Sequence, residues 1–90
     1  MDARTRVGRN IRRLRVSAEM SQEALAVDAG LETVHVSRIE RGIGNPTLGV
    51  LERIVRALGA DIAELFVNAG SGRVPLPTLK RGRKRAAKRT

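Results

Sequence analysis

Glu19 with Glu23 and Glu32 with Glu40 are the carboxylate pairs in this 90-residue chain that invite an acid–base reading. Such chemistry needs a cleft that shifts proton affinities and a reacting group held beside the base. Ninety residues make one domain at most. A chain of this size buries roughly 60% of its unfolded surface, which leaves little room for a cleft beside a core. No nucleophile is spaced to partner a base, so an enzyme is not expected. His35 is the only histidine and there is no cysteine. A metal site would need several further ligands nearby. No metal and no other cofactor is expected.

The charge is more informative. The net charge is +9, but residues 1–72 hold ten basic groups against nine acidic ones. The remaining excess lies in residues 73–90, where Arg73, Lys80, Arg81, Arg83, Lys84, Arg85, Lys88 and Arg89 face no acid. A polycation of this kind is expected to gain affinity for duplex DNA by releasing counterions, without choosing its sequence; the alternative is a solvated tail. One Phe and no Trp or Tyr leave almost nothing to stack on exposed bases. Without cysteine there are no disulfides, which fits a reducing compartment. No run approaches the ~18 apolar residues of a membrane span, and the first residues lack the apolar block of a signal peptide. The expectation is a cytoplasmic protein with no membrane contact.

The elements follow from periodicity and punctuation. Val7, Ile11 and Leu14 recur at the spacing of one helical face, with Arg9 and Arg13 opposite, predicting a helix over about 4–18. Ser21 is a candidate N-cap for a second helix, with Glu23 in its first turn and Gly30 ending it. A third helix is expected over about 33–40, with Val36 and Ile39 inward and Gly42 beyond its end. Glu32, at its start, interacts favourably with a helix amino terminus more readily than with a polyanion. Residues 42–46 read as a loop. Thr47 caps a fourth helix ended by Gly59, and Asp61 caps a short fifth carrying Ile62, Leu65 and Phe66. The expected organisation is one domain over 1–69 followed by a flexible basic tail over 70–90, too poor in apolar groups to offset ordering entropy.

The second and third helices carry the decisive pattern. Two short helices joined by about three residues pack steeply, and their contact is demanding. The string Leu25-Ala26-x-x-Ala29-Gly30-Leu31-x-x-x-x-Val36-x-x-Ile39 places a small residue at the close approach and a glycine at the reversal. It then supplies apolar anchors for the second member of the pair. This is a helix-turn-helix pattern.

With Ile11-Arg12-x-Leu14-Arg15, Ser21-Gln22-Glu23-x-Leu25-Ala26, Val36-Ser37-Arg38-Ile39-Glu40-Arg41-Gly42 and Asn45-Pro46-Thr47-Leu48, residues 4–67 resemble the Cro/Xre family of lambda-repressor-like domains. The resemblance implies an all-α, compact five-helix fold. It also implies a transcriptional regulator, a repressor or a small activator, that binds double-stranded operator DNA as a homodimer. The alternative is an antitoxin that binds its own operator and a protein partner, the toxin. Carried over by position, Gln22 would touch phosphate at the start of the second helix. Thr33, Val34, Ser37 and Arg38 would lie on the outer part of the third helix, in the major groove. Arg38 is the strongest base reader, because a guanidinium pairs in bidentate fashion with guanine. Val34 would touch a thymine methyl, and Arg41 and Asn45 phosphates. His35 is either a DNA contact or a solvated position. Arg15 and Glu40 match the family's ion pair between first and third helices, a structural role preferred over a DNA contact for Arg15. Val50, Ile62, Phe66 and Val67 are candidates for the dimer surface, some of which belong to the core instead.

Overall fold

The structure, a computed structural model, describes residues 1–68. The expected basic tail lies outside the described residues. Four α-helices follow one another: α1 (Ala3–Ser17), α2 (Gln22–Ala29), α3 (Thr33–Glu40) and α4 (Leu48–Leu58), then a 3-10 helix (Ile62–Phe66). There is no strand among the described residues.

Every start but that of α3 is set by a side chain that satisfies an orphan amide of the first turn. The Asp2 carboxylate accepts from the Thr5 amide at 2.9 Å, which starts α1 before the expected residue 4. Ser21 Oγ accepts from the Ala24 amide at 2.9 Å, and Thr47 Oγ1 from the Val50 amide at 3.1 Å. Glu32 occupies the N-cap position of α3 in an extended conformation, but its side chain makes no capping bond. Its favourable effect there can come only through the helix dipole. The fifth element is a 3-10 helix rather than an α-helix. Its five residues are squeezed between a reciprocal cap, in which Asp61 and Glu64 bond each other's backbone amides, and the extended residue Val67. A tighter winding is usual for so short a piece.

The core gathers residues from every element. Val7 and Ile11 of α1 meet Leu25, Ala26 and Ala29 of α2, Val36 and Ile39 of α3, Leu51, Ile54 and Val55 of α4, and Leu65. Full burial of a side chain such as Ile11, Leu25 or Ile54 contributes about 1.5–3 kcal/mol. The helix α1 is the common support, since it packs on α3, α4 and the 3-10 helix. Two features of it have no apolar character. Gly8 lies so close to α3 that a Cβ would sit 2.3 Å from the Ile39 carbonyl oxygen. Asn10, 1% exposed, donates from Nδ2 to the carbonyls of Leu65 at 2.8 Å and Val67 at 2.9 Å, tying the 3-10 helix to α1.

Candidate nucleic-acid interface

At ~100° per residue, an eight-residue helix separates its faces cleanly. Val36, Ile39 and Glu40 of α3 are buried. Thr33, Val34 and Arg38 are exposed and Ser37 is half-buried, together forming the opposite face. Val34 is 58% exposed, much for a valine in a small domain. Arg41 continues this face just beyond the helix, with Nε 3.4 Å from the Ser37 carbonyl. His35 is half-buried and falls on the flank beside Ile39, away from the centre of the exposed face. Asn45 is exposed in the loop that follows, between Gly44 and Pro46. Five of the eight residues assigned by resemblance to DNA contact therefore share one surface. His35, Asn45 and Gln22 stand apart from it.

Beneath this face, a polar cluster fixes the helix. Arg15 of α1 donates from Nε to Glu40 Oε2 at 2.6 Å and from Nη2 to Oε1 at 3.2 Å. Its Nη1 donates to the Met20 carbonyl at 2.8 Å. Gln22, at the start of α2, donates from Nε2 to Glu40 Oε1 at 3.0 Å. The Glu40 side chain is 3% exposed and that of Arg15 14%. A buried ion pair of this kind is a weak source of net stability, because desolvation offsets much of the attraction. What it does is lock orientation: three helices meet at one carboxylate. Gln22, matched to a phosphate contact, thus has a partner inside the protein as well.

The connection between α2 and α3 is held from outside the motif. Gly30 adopts φ +70°, and the Leu31 amide donates back to the Ala26 carbonyl at 2.8 Å, closing α2. Arg53 of α4 donates from Nε to the Ala29 carbonyl at 2.9 Å and from Nη2 to the Gly30 carbonyl at 2.6 Å.

Sequence reasoning missed Gly8, Asn10 and Arg53. A glycine and an asparagine inside an otherwise regular helix were available signals, the first of close approach and the second of a polar group on the apolar face. Nothing in the spacing of Arg53 betrays its partners. Of the candidate dimer residues, Val50 and Ile62 pack partly against the core, Val67 is half-buried, and Phe66 is 44% exposed. Leu48, not among them, is 68% exposed and rims a shallow groove with Ile43, Pro46, Leu51 and Phe66. Among the described residues no group of three or more His, Cys, Asp or Glu could hold a metal ion. None of their helices is long and apolar enough to cross a membrane.

A pair of short helices locked at Gly30, its second member buried on one side and bare on the other, defines a helix-turn-helix. The profile of the helix-turn-helix domain matches residues 6–65, and the chain belongs to that family, as the Cro/Xre resemblance implies. Over 65 residues it is 38% identical to y4dJ of Sinorhizobium fredii, named an uncharacterized HTH-type transcriptional regulator. That match covers 72% of this chain and 84% of the relative. Over 60 residues it is 40% identical to control protein C.BamHI of Bacillus amyloliquefaciens, covering 66% and 74%. Among solved structures, the restriction-modification controller protein C.AhdI of Aeromonas hydrophila matches with a TM-score of 0.68 and 35% identity. That likeness covers 70% of this chain and 96% of C.AhdI.

Proposed function

We propose that this protein is a sequence-specific DNA-binding transcriptional regulator of the cytoplasm, without enzymatic activity, that places α3 in the major groove of an operator. The observation that carries the reading is the division of α3: the inner face is fixed by packing and by Arg15, Gln22 and Glu40. The outer face presents Thr33, Val34, Ser37 and Arg38, whose side chains have no hydrogen-bond or ion-pair partner among the described residues. Base edges specify and phosphates position. Arg38 is assigned to a guanine edge and Val34 to a thymine methyl. Arg41 and Asn45 are assigned to phosphates after the helix. Gln22, with one Nε2 proton on Glu40, has a second to offer a phosphate at the start of α2. His35, on the flank, is a peripheral contact.

A single short helix reads few bases, so the operator is an inverted repeat bound by a homodimer, with half-sites about one turn, ~34 Å, apart. The dimer surface includes Phe66 and Val67, with Val50 and Ile62 behind it and exposed Leu48 beside it. Residues 73–90 add affinity through counterion release without choosing sequence. The names of the relatives C.BamHI and C.AhdI favour a controller over an antitoxin. Selection of bound duplexes from a random library tests the function directly. A recovered inverted repeat supports it, and an unenriched pool refutes it.

A further inference from the structure

We infer that Arg53, on α4, is a positioning residue for the reading helix, setting the angle at which α3 leaves α2 without touching DNA. The last carbonyls of an α-helix lack intrahelical partners, and a cation near them also meets the negative end of the helix dipole. In α2 two of these groups, the carbonyls of Ala29 and Gly30, are taken by one guanidinium, at 2.9 and 2.6 Å. A planar fork held at two points fixes the peptide planes it grips, which a single flexible donor cannot do. Those planes belong to the turn from which α3 departs, since only Leu31 and Glu32 separate Gly30 from Thr33. A side chain at Gly30 would displace this guanidinium. Besides φ +70°, a Cβ there would meet Arg53 Nη2 at 2.8 Å.

The consequence for DNA rests on the function proposed above, whereas the consequence for the free protein does not. A test therefore needs both arms, on the full chain and well below its unfolding temperature. In the free protein, Arg53→Met keeps the aliphatic stem and removes the donors. Amide hydrogen exchange at Leu31, whose bond to Ala26 closes the turn, is expected to accelerate about tenfold or more. The buried amides of α1 should keep their wild-type rates. With DNA, Arg53→Met is expected to lower the ratio of operator to random-duplex affinity about tenfold, with the salt dependence on random DNA unchanged. Arg53→Lys, which restores one donor and the charge, should fall between the two. An unchanged exchange rate at Leu31 overturns the inference. So does uniform weakening on all sequences with a shallower salt slope, since that is the mark of a direct phosphate contact. A wild-type protein that prefers no duplex refutes the function instead, and leaves the exchange arm to decide Arg53.

Discussion

On its inner face, α3 is over-determined. Val36 and Ile39 fill the core, the Ile39 backbone touches Gly8, and Glu40 receives hydrogen bonds from Arg15 and Gln22. On its outer face, Thr33, Val34 and Arg38 are exposed, and among the described residues their side chains make no hydrogen bond or ion pair. The two faces sit on the same eight residues, yet different physics chooses their side chains. Inner positions answer to volume and hydrogen-bond satisfaction within the chain. Outer positions answer to whatever the helix meets. It follows that the inner face should be sensitive in stability and the outer face in binding alone, and each substitution below strains that separation.

The largest effect is expected at Glu40. Glu40→Ala leaves Arg15 buried without its carboxylate and removes the acceptor of Gln22. Breaking one side of a buried pair typically costs about 3–5 kcal/mol, and the low end suits Arg15, which keeps its bond to Met20. Urea denaturation should show this loss. Replacing both partners with apolar residues, Arg15→Met with Glu40→Leu, should recover much of it. A loss from Glu40→Ala below about 1 kcal/mol would mean the pair is effectively solvated, and the inner face less determined than its contacts indicate.

Next comes Gly8. In Gly8→Ala the new methyl meets backbone, the Ile39 carbonyl at 2.3 Å and the Glu40 carbonyl at 2.7 Å. Backbone cannot swing aside like a long side chain, so α1 and α3 must separate. Overpacking of this kind costs about 1–3 kcal/mol, and thermal or urea unfolding would measure it. Because α3 itself moves, operator affinity should fall further than stability alone dictates. A stable variant with wild-type binding would show that the two helices have slack between them.

The same division explains what was legible in the sequence. Helix positions, caps at Ser21 and Thr47, and the reversal at Gly30 all rest on local rules, and the structure has them within a residue or two. The core was legible because apolar residues recur at 3–4 spacing. Asn10 and Arg53 were not, since their partners lie 55 and 24 residues away and are backbone carbonyls, which leave no trace in residue type. Asn10 in particular has the chemistry of a surface residue in an interior position. The carbonyls of Leu65 and Val67 opposite it supply the reason. The 3-10 winding of the last element was missed for a related reason: the cap at Asp61 signals a helix but not its pitch. On the outer face of α3, the roles of Thr33, Val34, Ser37 and Arg38 came from family resemblance. Spacing alone marks them as outward and no more.

Arg38 tests the outer face. Its side chain has no bond to the rest of the fold among the described residues, so Arg38→Ala should change stability by less than about 0.5 kcal/mol. Discrimination between operator and random duplex should fall by about 1–3 kcal/mol, the worth of one good bidentate base contact. Paired titrations of the two duplexes at one salt concentration would measure it. Gln22→Ala should behave differently, weakening both duplexes alike and also lowering stability by roughly 1 kcal/mol, because it straddles the two environments. An unchanged ratio for Arg38→Ala would move the reading residue elsewhere on α3.

The smallest effect is expected at Asp2, the exposed cap at the start of α1. Hydrogen bonds from Thr5, the backbone amide first and the side chain second, hold the Asp2 carboxyl below its ordinary value of 3.8, and the charge of Arg4 acts in the same direction. A carboxylate whose pKa is lower in the folded chain stabilises the fold above its unfolded pKa. That contribution fades as pH falls through the lowered value. Asp2→Asn keeps an acceptor for the Thr5 amide but does not titrate, so the comparison isolates the charge. The difference in melting temperature between wild type and Asp2→Asn should be constant above about pH 5 and shrink below about pH 4. Contributions common to the two proteins cancel from the difference. Operator discrimination should be the same in the two, since Asp2 is not among the residues assigned to base contacts. A gap that persists unchanged into strong acid would show that the carboxylate charge plays no part in the cap. A difference in capping geometry between the two side chains would then account for the gap.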